Sequence, residues 1–224
     1  GTTRDVLDTV VHLAQGPVRL LDTAGLKHRR KVKHVVELFA MARTMDAIGR
    51  CDVALIVLDG LQGVVQDDQR LVEQVRRAGR GQVLLVNKWD VATRVPLASL
   101  NDAVHARLLS ARGAPVVAVS AKTGFGVRRA LALARQVYRP MQHVPEAALA
   151  AYVRAAWAAR PPKVRGRALA CEGVRWLGGR PARVQVVTSV GRLPPDTRRY
   201  LVNRLAQWPR LAGVPVDVVA TTDA

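Results

Sequence analysis

The residues best suited to chemistry are Asn87-Lys88-Trp89-Asp90, directly behind the apolar run Val83-Leu84-Leu85-Val86. An amide and a carboxylate three positions apart can read the edge of a purine. The carboxylate accepts from a ring N1–H and an exocyclic N2 amine, and the amide NH2 donates to N7 and O6. Guanine offers that set; adenine lacks the 2-amine and presents a donor where guanine has O6. Taken alone the tetrapeptide also reads as a plain turn, because Asn and Asp after a strand are common turn residues. Three further stretches hold candidate groups: Gly1-Thr2-Thr3-Arg4-Asp5, Asp22-Thr23-Ala24-Gly25 followed by Leu26, and Ser120-Ala121-Lys122.

These groups need elements to hold them. Four apolar residues in a row, two of them Val, predict a strand buried on both faces, as in a parallel sheet. Open α/β sheets bind ligands at the carboxyl ends of such strands. Residues 6–13 alternate loosely, Gln15-Gly16-Pro17 turns, and 18–21 is apolar but for one Arg, which predicts a hairpin feeding Asp22. Val35, Leu38, Phe39, Ala42, Met45 and Ile48 share one side of a helix over 35–49. Residues 52–59 read as a second fully buried strand, and 67–78 as a helix with Leu71 and Val75 inward. A helix over 99–112 capped by Ser99, a strand over 116–119 and a helix over 125–138 follow. Trp89 is expected to pack behind its loop. Strand and helix alternate, so the fold class is α/β with a doubly wound sheet.

Residues 139–145 carry two prolines and read as a linker. Beyond it, 145–160 is helical with Leu149, Val153, Ala156 and Trp157 inward and Pro145 at the first helical position. Residues 167–176 and 183–190 are strand-like around a Gly178-Gly179 turn, 194–208 is a helix, and 214–220 a closing strand.

Charge bounds the partners. The chain carries 35 Lys and Arg against 17 Asp and Glu, a net +18. Residues 141–224 hold 13 basic and 5 acidic residues. Such an excess favours polyanions through phosphate contact and counterion release; an Arg-rich composition with solvated faces accounts for part of it. No apolar run approaches the ~20 residues of a membrane span, and no export signal opens the sequence. Cys51 and Cys171 lie far apart without metal-ligand spacing. They read as small buried hydrophobes in a reducing cytosol.

The order Gly1-Thr2-Thr3-Arg4-Asp5, Asp22-Thr23-Ala24-Gly25, Asn87-Lys88-Trp89-Asp90, Ser120-Ala121-Lys122 resembles the translation-factor-like GTPases. Within them it is similar to the Der (EngA) family of bacterial ribosome-assembly GTPases, in the second of two tandem GTPase domains. The resemblance covers nearly the whole chain. The helix-strand-strand-helix-strand order of the tail and Arg198-Arg199-Tyr200-Leu201-Val202-Asn203 resemble that family's C-terminal KH-like domain. It implies a partial GTPase domain over 1–139, a linker over 140–144 and a KH-like α+β domain over 145–224.

What the resemblance implies for the site is specific. Thr3 (or Thr2) would coordinate Mg2+ and sense the γ-phosphate. Asp22 would hold a water on Mg2+, and Gly25 would let its N–H approach the γ-phosphate. Thr23, Ala24 and Leu26 complete that nucleotide loop. Leu26 cannot orient a water as a Gln there would, so no catalytic residue is identified in this chain. The resemblance implies potassium as an aid, with ligands in segments this chain does not show. Ala121 N–H would donate to O6, and Lys88 and Lys122 would lay their stems along the base. The basic loop over 27–33 meets rRNA or a neighbouring domain when GTP orders it, or is a solvated charge run. No GxxG loop is present for a KH-type RNA clamp. Arg165, Arg167, Arg198, Arg199 and Arg204 are the candidates for rRNA phosphate contact, unless they face the rest of the protein or solvent.

A triphosphate site also needs GxxxxGK[ST], whose backbone N–H groups and lysine hold the β- and γ-phosphates. No such motif occurs in these 224 residues. The expectation is a fragment lacking the first strand, the P-loop and the first helix, and inactive by itself. The reading is a GTP-binding and GTP-hydrolysing switch, with GTP/GDP and Mg2+ as cofactors, for assembly of the large ribosomal subunit in the cytoplasm. No DNA sequence specificity is expected. The alternative is a non-catalytic RNA-binding or scaffold protein with a degenerate GTPase domain. A tRNA-modifying GTPase of the same branch is disfavoured by the C-terminal unit.

Overall fold

The structure is a computed structural model and describes residues 9–13, 16–21, 35–92 and 96–222. Two compact units divide the chain, Gly1–Cys51 and Asp52–Ala224. In the first, β1 (Thr9–Leu13) and β2 (Gly16–Leu20) form the expected antiparallel hairpin, with Thr9 opposite Leu20 and Leu13 opposite Gly16. Helix α1 spans Val35–Arg50. Ile48 is buried on it as expected, but Ala42 and Met45 are exposed, so the apolar side predicted for this helix is only partly covered.

The second unit begins with three parallel strands in the order β3-β4-β5: β3 (Val53–Asp59), β4 (Gly81–Asn87) and β5 (Val116–Ala118). In β4 every residue from Gly81 to Val86 is buried. Two helices explain this. Side chains alternate across a strand. The Gln82 Nε2 donates to the Val72 carbonyl of α2 (Gln66–Arg77) at 3.1 Å, which puts the even positions toward α2. A Cβ on Gly81 would stand 2.7 Å from Val137 and 3.2 Å from Met141, which puts the odd positions toward α4 (Val127–Gln142). The expectation of full burial fails in β3. Ile56 and Leu58 are buried, but Val57 is 57% exposed, because the core packing of Val53 and Leu55 on that face does not extend to it.

Helix boundaries differ from the sequence reading for local reasons. On α2 the fully buried pair is Val72 and Val75, and Leu71 is only half-buried. The predicted helix over 99–112 is a 3-10 turn (Leu97–Ser99), α3 (Leu100–Arg107) and a second 3-10 turn (Leu109–Ala111). Ser99 makes no side-chain cap bond, since its ψ of 0° lies outside the extended conformation that N-caps adopt. Helix α4 runs on through Pro140 to Gln142, into the predicted linker. A proline removes one helical N–H, but Met141 and Val144 beside it are 5% and 2% exposed, and their burial holds this end in place.

The C-terminal part keeps the predicted helix-strand-strand-helix-strand order. Helix α5 (Glu146–Ala159) buries Leu149, Val153, Ala156 and Trp157, all four as read from the sequence. A small hairpin intervenes, β6 (Lys163–Val164) and β7 (Arg167–Ala168), turning through Arg165 and Gly166, both at positive φ. Strands β8 (Gly173–Gly178) and β9 (Ala182–Val187) pair antiparallel, α6 (Pro195–Ala206) follows, and β10 (Val216–Thr221) pairs parallel to β9. One continuous core joins this sheet to the first: Val83, Leu85 and Val117 belong to the same buried cluster as Val184, Leu205 and Val218. Backbone meets backbone there too, Gln82 N–H donating to the Gly213 carbonyl at 2.9 Å. Cys51 and Cys171 are half-buried rather than buried. No helix among the described residues is long and apolar enough to cross a membrane.

Candidate functional site

The carboxyl ends of β3, β4 and β5 bring the candidate motifs together. In register, Asp59 stands opposite Asn87 and Val86 opposite Ala118. Two more backbone bonds carry the β4–β5 pairing beyond the strands: Val119 N–H to the Val86 carbonyl (2.8 Å) and Trp89 N–H to the Val119 carbonyl (3.1 Å). Asn87 and Ser120 therefore emerge side by side, as the purine-reading hypothesis requires.

Asn87 is the hinge of the arrangement. Its Oδ1 accepts the Ala121 N–H at 3.0 Å. The oxygen is thereby engaged, and the amide NH2 makes no hydrogen bond among the described residues. Those are the donors that N7 and O6 of a guanine need. The structure thus gives Ala121 N–H a protein partner, where the sequence reading gave it to O6.

Lys88 adopts φ 62°, a left-handed conformation that costs an ordinary residue ~1 kcal/mol or more. Its carbonyl accepts from Val91 and Ala92 N–H at 3.1 and 3.0 Å, and its Nζ pairs with Asp59 Oδ2 at 2.6 Å. The tip of the side chain is thereby held by Asp59. Asp59 also accepts from Leu61 N–H at 2.8 Å, and the Lys88 bond holds its carboxyl below the usual range. Gly60, next in the chain, is required by contact: a Cβ there would lie 2.6 Å from the Asn87 carbonyl. The sequence reading missed Asp59. The signal for it was an acid ending a buried strand in register with Asn87.

The Ser120 loop is built around a wholly buried side chain. Ser120 Oγ accepts Thr123 N–H at 3.2 Å, Ser120 N–H donates to the Phe125 carbonyl at 3.0 Å, and Gly124 N–H to the Ser120 carbonyl at 2.8 Å. Lys122 points into solvent. Helix α4 starts two residues after Phe125 and not at it, so Phe125 belongs to this loop. Trp89, Asp90, Ser120, Thr123 and Phe125 line an open cleft of about 280 Å3. Trp89 is half-buried and on the cleft rather than behind the loop. Thr123 and Phe125 were not singled out from sequence; a Phe between two glycines was the available signal.

Thr2, Thr3, Asp22, Thr23, Ala24, Gly25, Leu26 and the basic loop over 27–33 lie outside the described residues. The candidate RNA-contacting arginines separate. Arg165 and Arg167 are exposed on the β6–β7 hairpin. Arg198 is a bidentate partner of Asp217 at 2.7 Å, Arg199 pairs with Asp196 at 2.8 Å, and Arg204 lies over the Tyr152 ring at 5.9 Å. Arg198 and Arg199 thus each already pair with a protein carboxylate.

A family model described as 50S ribosome-binding GTPase matches residues 1–88. GTPase Der of Desulforudis audaxviator (strain MP104C) is 33% identical over 228 residues, covering 98% of this chain and 51% of its own length. GTPase Der of Synechococcus sp. (strain JA-2-3B'a(2-13)) is 41% identical over 127 residues, covering 55% of this chain and 28% of its own. The chain spans about half the length of the curated relatives that it matches from end to end. A crystal structure of Era in complex with MgGDPNP and a segment of 16S ribosomal RNA superposes with a TM-score of 0.47 at 15% identity, covering 94% of this chain and 78% of that one.

Proposed function

The chain belongs to the Der family of GTPases, and from that premise we propose that it is a GTP-binding and GTP-hydrolysing switch acting in assembly of the large ribosomal subunit. The observation that carries the reading is the amide of Asn87 at the end of β4, whose oxygen is taken by Ala121 N–H and whose NH2 has no hydrogen-bond partner among the described residues. Asp90, three residues on and lining the cleft, supplies the carboxylate that accepts from N1 and the 2-amine. The described residues thus fit a guanine, the base half of GTP or GDP.

In this reading Asp22 to Leu26 form the γ-phosphate loop, Thr3 (or Thr2) and a water on Asp22 hold Mg2+, and potassium assists. Bound Mg2+ would neutralise charge on the phosphate oxygens. Residues 1–139 are the GTPase part and 145–224 a KH-like part, a division supported by the two separate three-stranded sheets. The protein works in the cytoplasm, and exposed Arg165 and Arg167 with the basic loop over 27–33 meet rRNA phosphates.

The test uses the intact gene product. Wild type is expected to bind GDP in preference to XDP, and Asp90→Asn to reverse that order, because an amide can donate to the 2-oxo group of xanthine. An Asp90→Asn protein that still prefers guanine sinks the reading. Sedimentation with large ribosomal subunits is expected in the presence of a non-hydrolysable GTP analogue and not of GDP; equal sedimentation in both removes the switch.

A further inference from the structure

We infer that Asp59 is a positioning residue for the guanine site: by holding the Lys88 ammonium it fixes the turn that sets Asn87 and Asp90 apart at the distance a base edge needs. This rests on the guanine reading above and names a residue that serves it from the neighbouring strand.

Asn87 and Asp90 can read one base edge together only if the two residues between them keep a single conformation. Lys88 is the first of those two, and at φ 62° it is left-handed, where a residue with a Cβ is strained. Such strain persists only where the surroundings over-determine it, and it gathers at functional sites. Here the surroundings come from the end of β3. Asp59 Oδ2 accepts from Lys88 Nζ at 2.6 Å, across 29 residues of sequence. The Arg70–Asp67 and Arg76–Glu73 pairs, by contrast, join neighbours on one helix. The Asp59 carboxylate is itself anchored, its Oδ1 accepting Leu61 N–H at 2.8 Å.

The backbone closes on the same turn from both sides. Before Lys88, Gly60 N–H donates to the Asn87 carbonyl at 2.9 Å. After it, Ala92 is buried, and a Cβ on Gly60 would lie 3.0 Å from the Ala92 Cβ. Ala92 N–H in turn donates to the Lys88 carbonyl at 3.0 Å. Of these contacts the Asp59–Lys88 pair is the one made by two side chains, so substitution removes it and leaves the backbone bonds in place. Groups arranged in advance lose little entropy when a ligand arrives, and a looser turn would give up that advantage at Asp90.

The experiment is calorimetric titration of the intact gene product with GDP and with IDP, for wild type, Asp59→Asn, Lys88→Met and the double variant. Asn87 reads N7 and O6 of both bases, whereas Asp90 gains the 2-amine in GDP alone. The two ligands carry the same phosphates, so the altered protein charge cancels in the ratio of their affinities. A general loss of stability leaves that ratio unmoved as long as the protein is folded. Wild type should prefer GDP. The pair is partly exposed, so each single variant should lower the preference by roughly two- to fivefold. The double variant should lower it no further than one single does, because both changes break the same pair. The two singles break it from opposite ends, so either one that folds decides the matter. If wild type prefers GDP and the singles keep its full preference, or their effects multiply in the double variant, or neither single folds, positioning by Asp59 through Lys88 is wrong while the guanine reading stands. If wild type does not prefer GDP, the guanine reading fails and takes this inference with it.

Discussion

The two jobs assigned to Asn87 can be separated by two substitutions. Its Oδ1 accepts Ala121 N–H at 3.0 Å, and its NH2 is left for the base. Asn87→Asp keeps an acceptor of the same shape and removes both donors. Asn87→Ala removes everything. For nucleotide binding, two lost hydrogen bonds at about 0.5–1.5 kcal/mol each weaken GDP by about 1–3 kcal/mol in either variant. The aspartate adds repulsion between its carboxylate and the lone pairs of N7 and O6, so it should bind more weakly than the alanine. For folding, the order reverses. Ala121 is exposed, so water can replace the missing acceptor, and Asn87→Ala should lose only about 0.5–1 kcal/mol in urea unfolding. Asn87→Asp should lose less than that. Titration with GDP and urea melts on the same samples give both numbers. Wild-type affinity in either variant would refute the donor assignment, and an Asn87→Asp protein less stable than Asn87→Ala would refute the bond to Ala121.

The remaining predictions concern the framework. Leu211 is fully buried in the core that joins the two sheets, so Leu211→Ala should cost about 2–5 kcal/mol. Because that core is continuous, amide-exchange protection should fall together in β4 and β9; loss confined to β9 would show two independent folding units. The Glu73 carboxyl is held down to about 2 by Arg76 and then Arg77, both bonded to it at 2.8 Å. A depressed carboxyl stabilises the fold fully above its unfolded value near 4.5 and loses that contribution as pH falls toward 2. Glu73→Gln should therefore be less stable at pH 7, by under about 1 kcal/mol for so exposed a pair, and equal to wild type near pH 2. A difference that persists at pH 2 would mean that packing, not charge, is at work.

Much of the site could be read without coordinates. The run Val83 to Val86 gave the central strand, because burial on both faces is a local property, and the donor–acceptor pattern of Asn87 and Asp90 is what suggests the edge chemistry proposed for them. The inward face of α5 was equally plain, since four apolar residues at helical spacing leave a helix one way to lie. What sequence could not supply were choices made between distant segments. Asp59 takes the Lys88 ammonium because parallel register sets β3 beside β4. Ala121 N–H takes the Asn87 oxygen because β5 lies next to β4. Pro140 stays within α4 because Met141 and Val144 find a core, which no local propensity foretells. Gly126 follows Phe125 because the Ala118 carbonyl leaves no room for a Cβ there, a contact between β5 and the start of α4. Hydrophobic periodicity records which side of an element is buried; only the packed sheet decides which partner stands there.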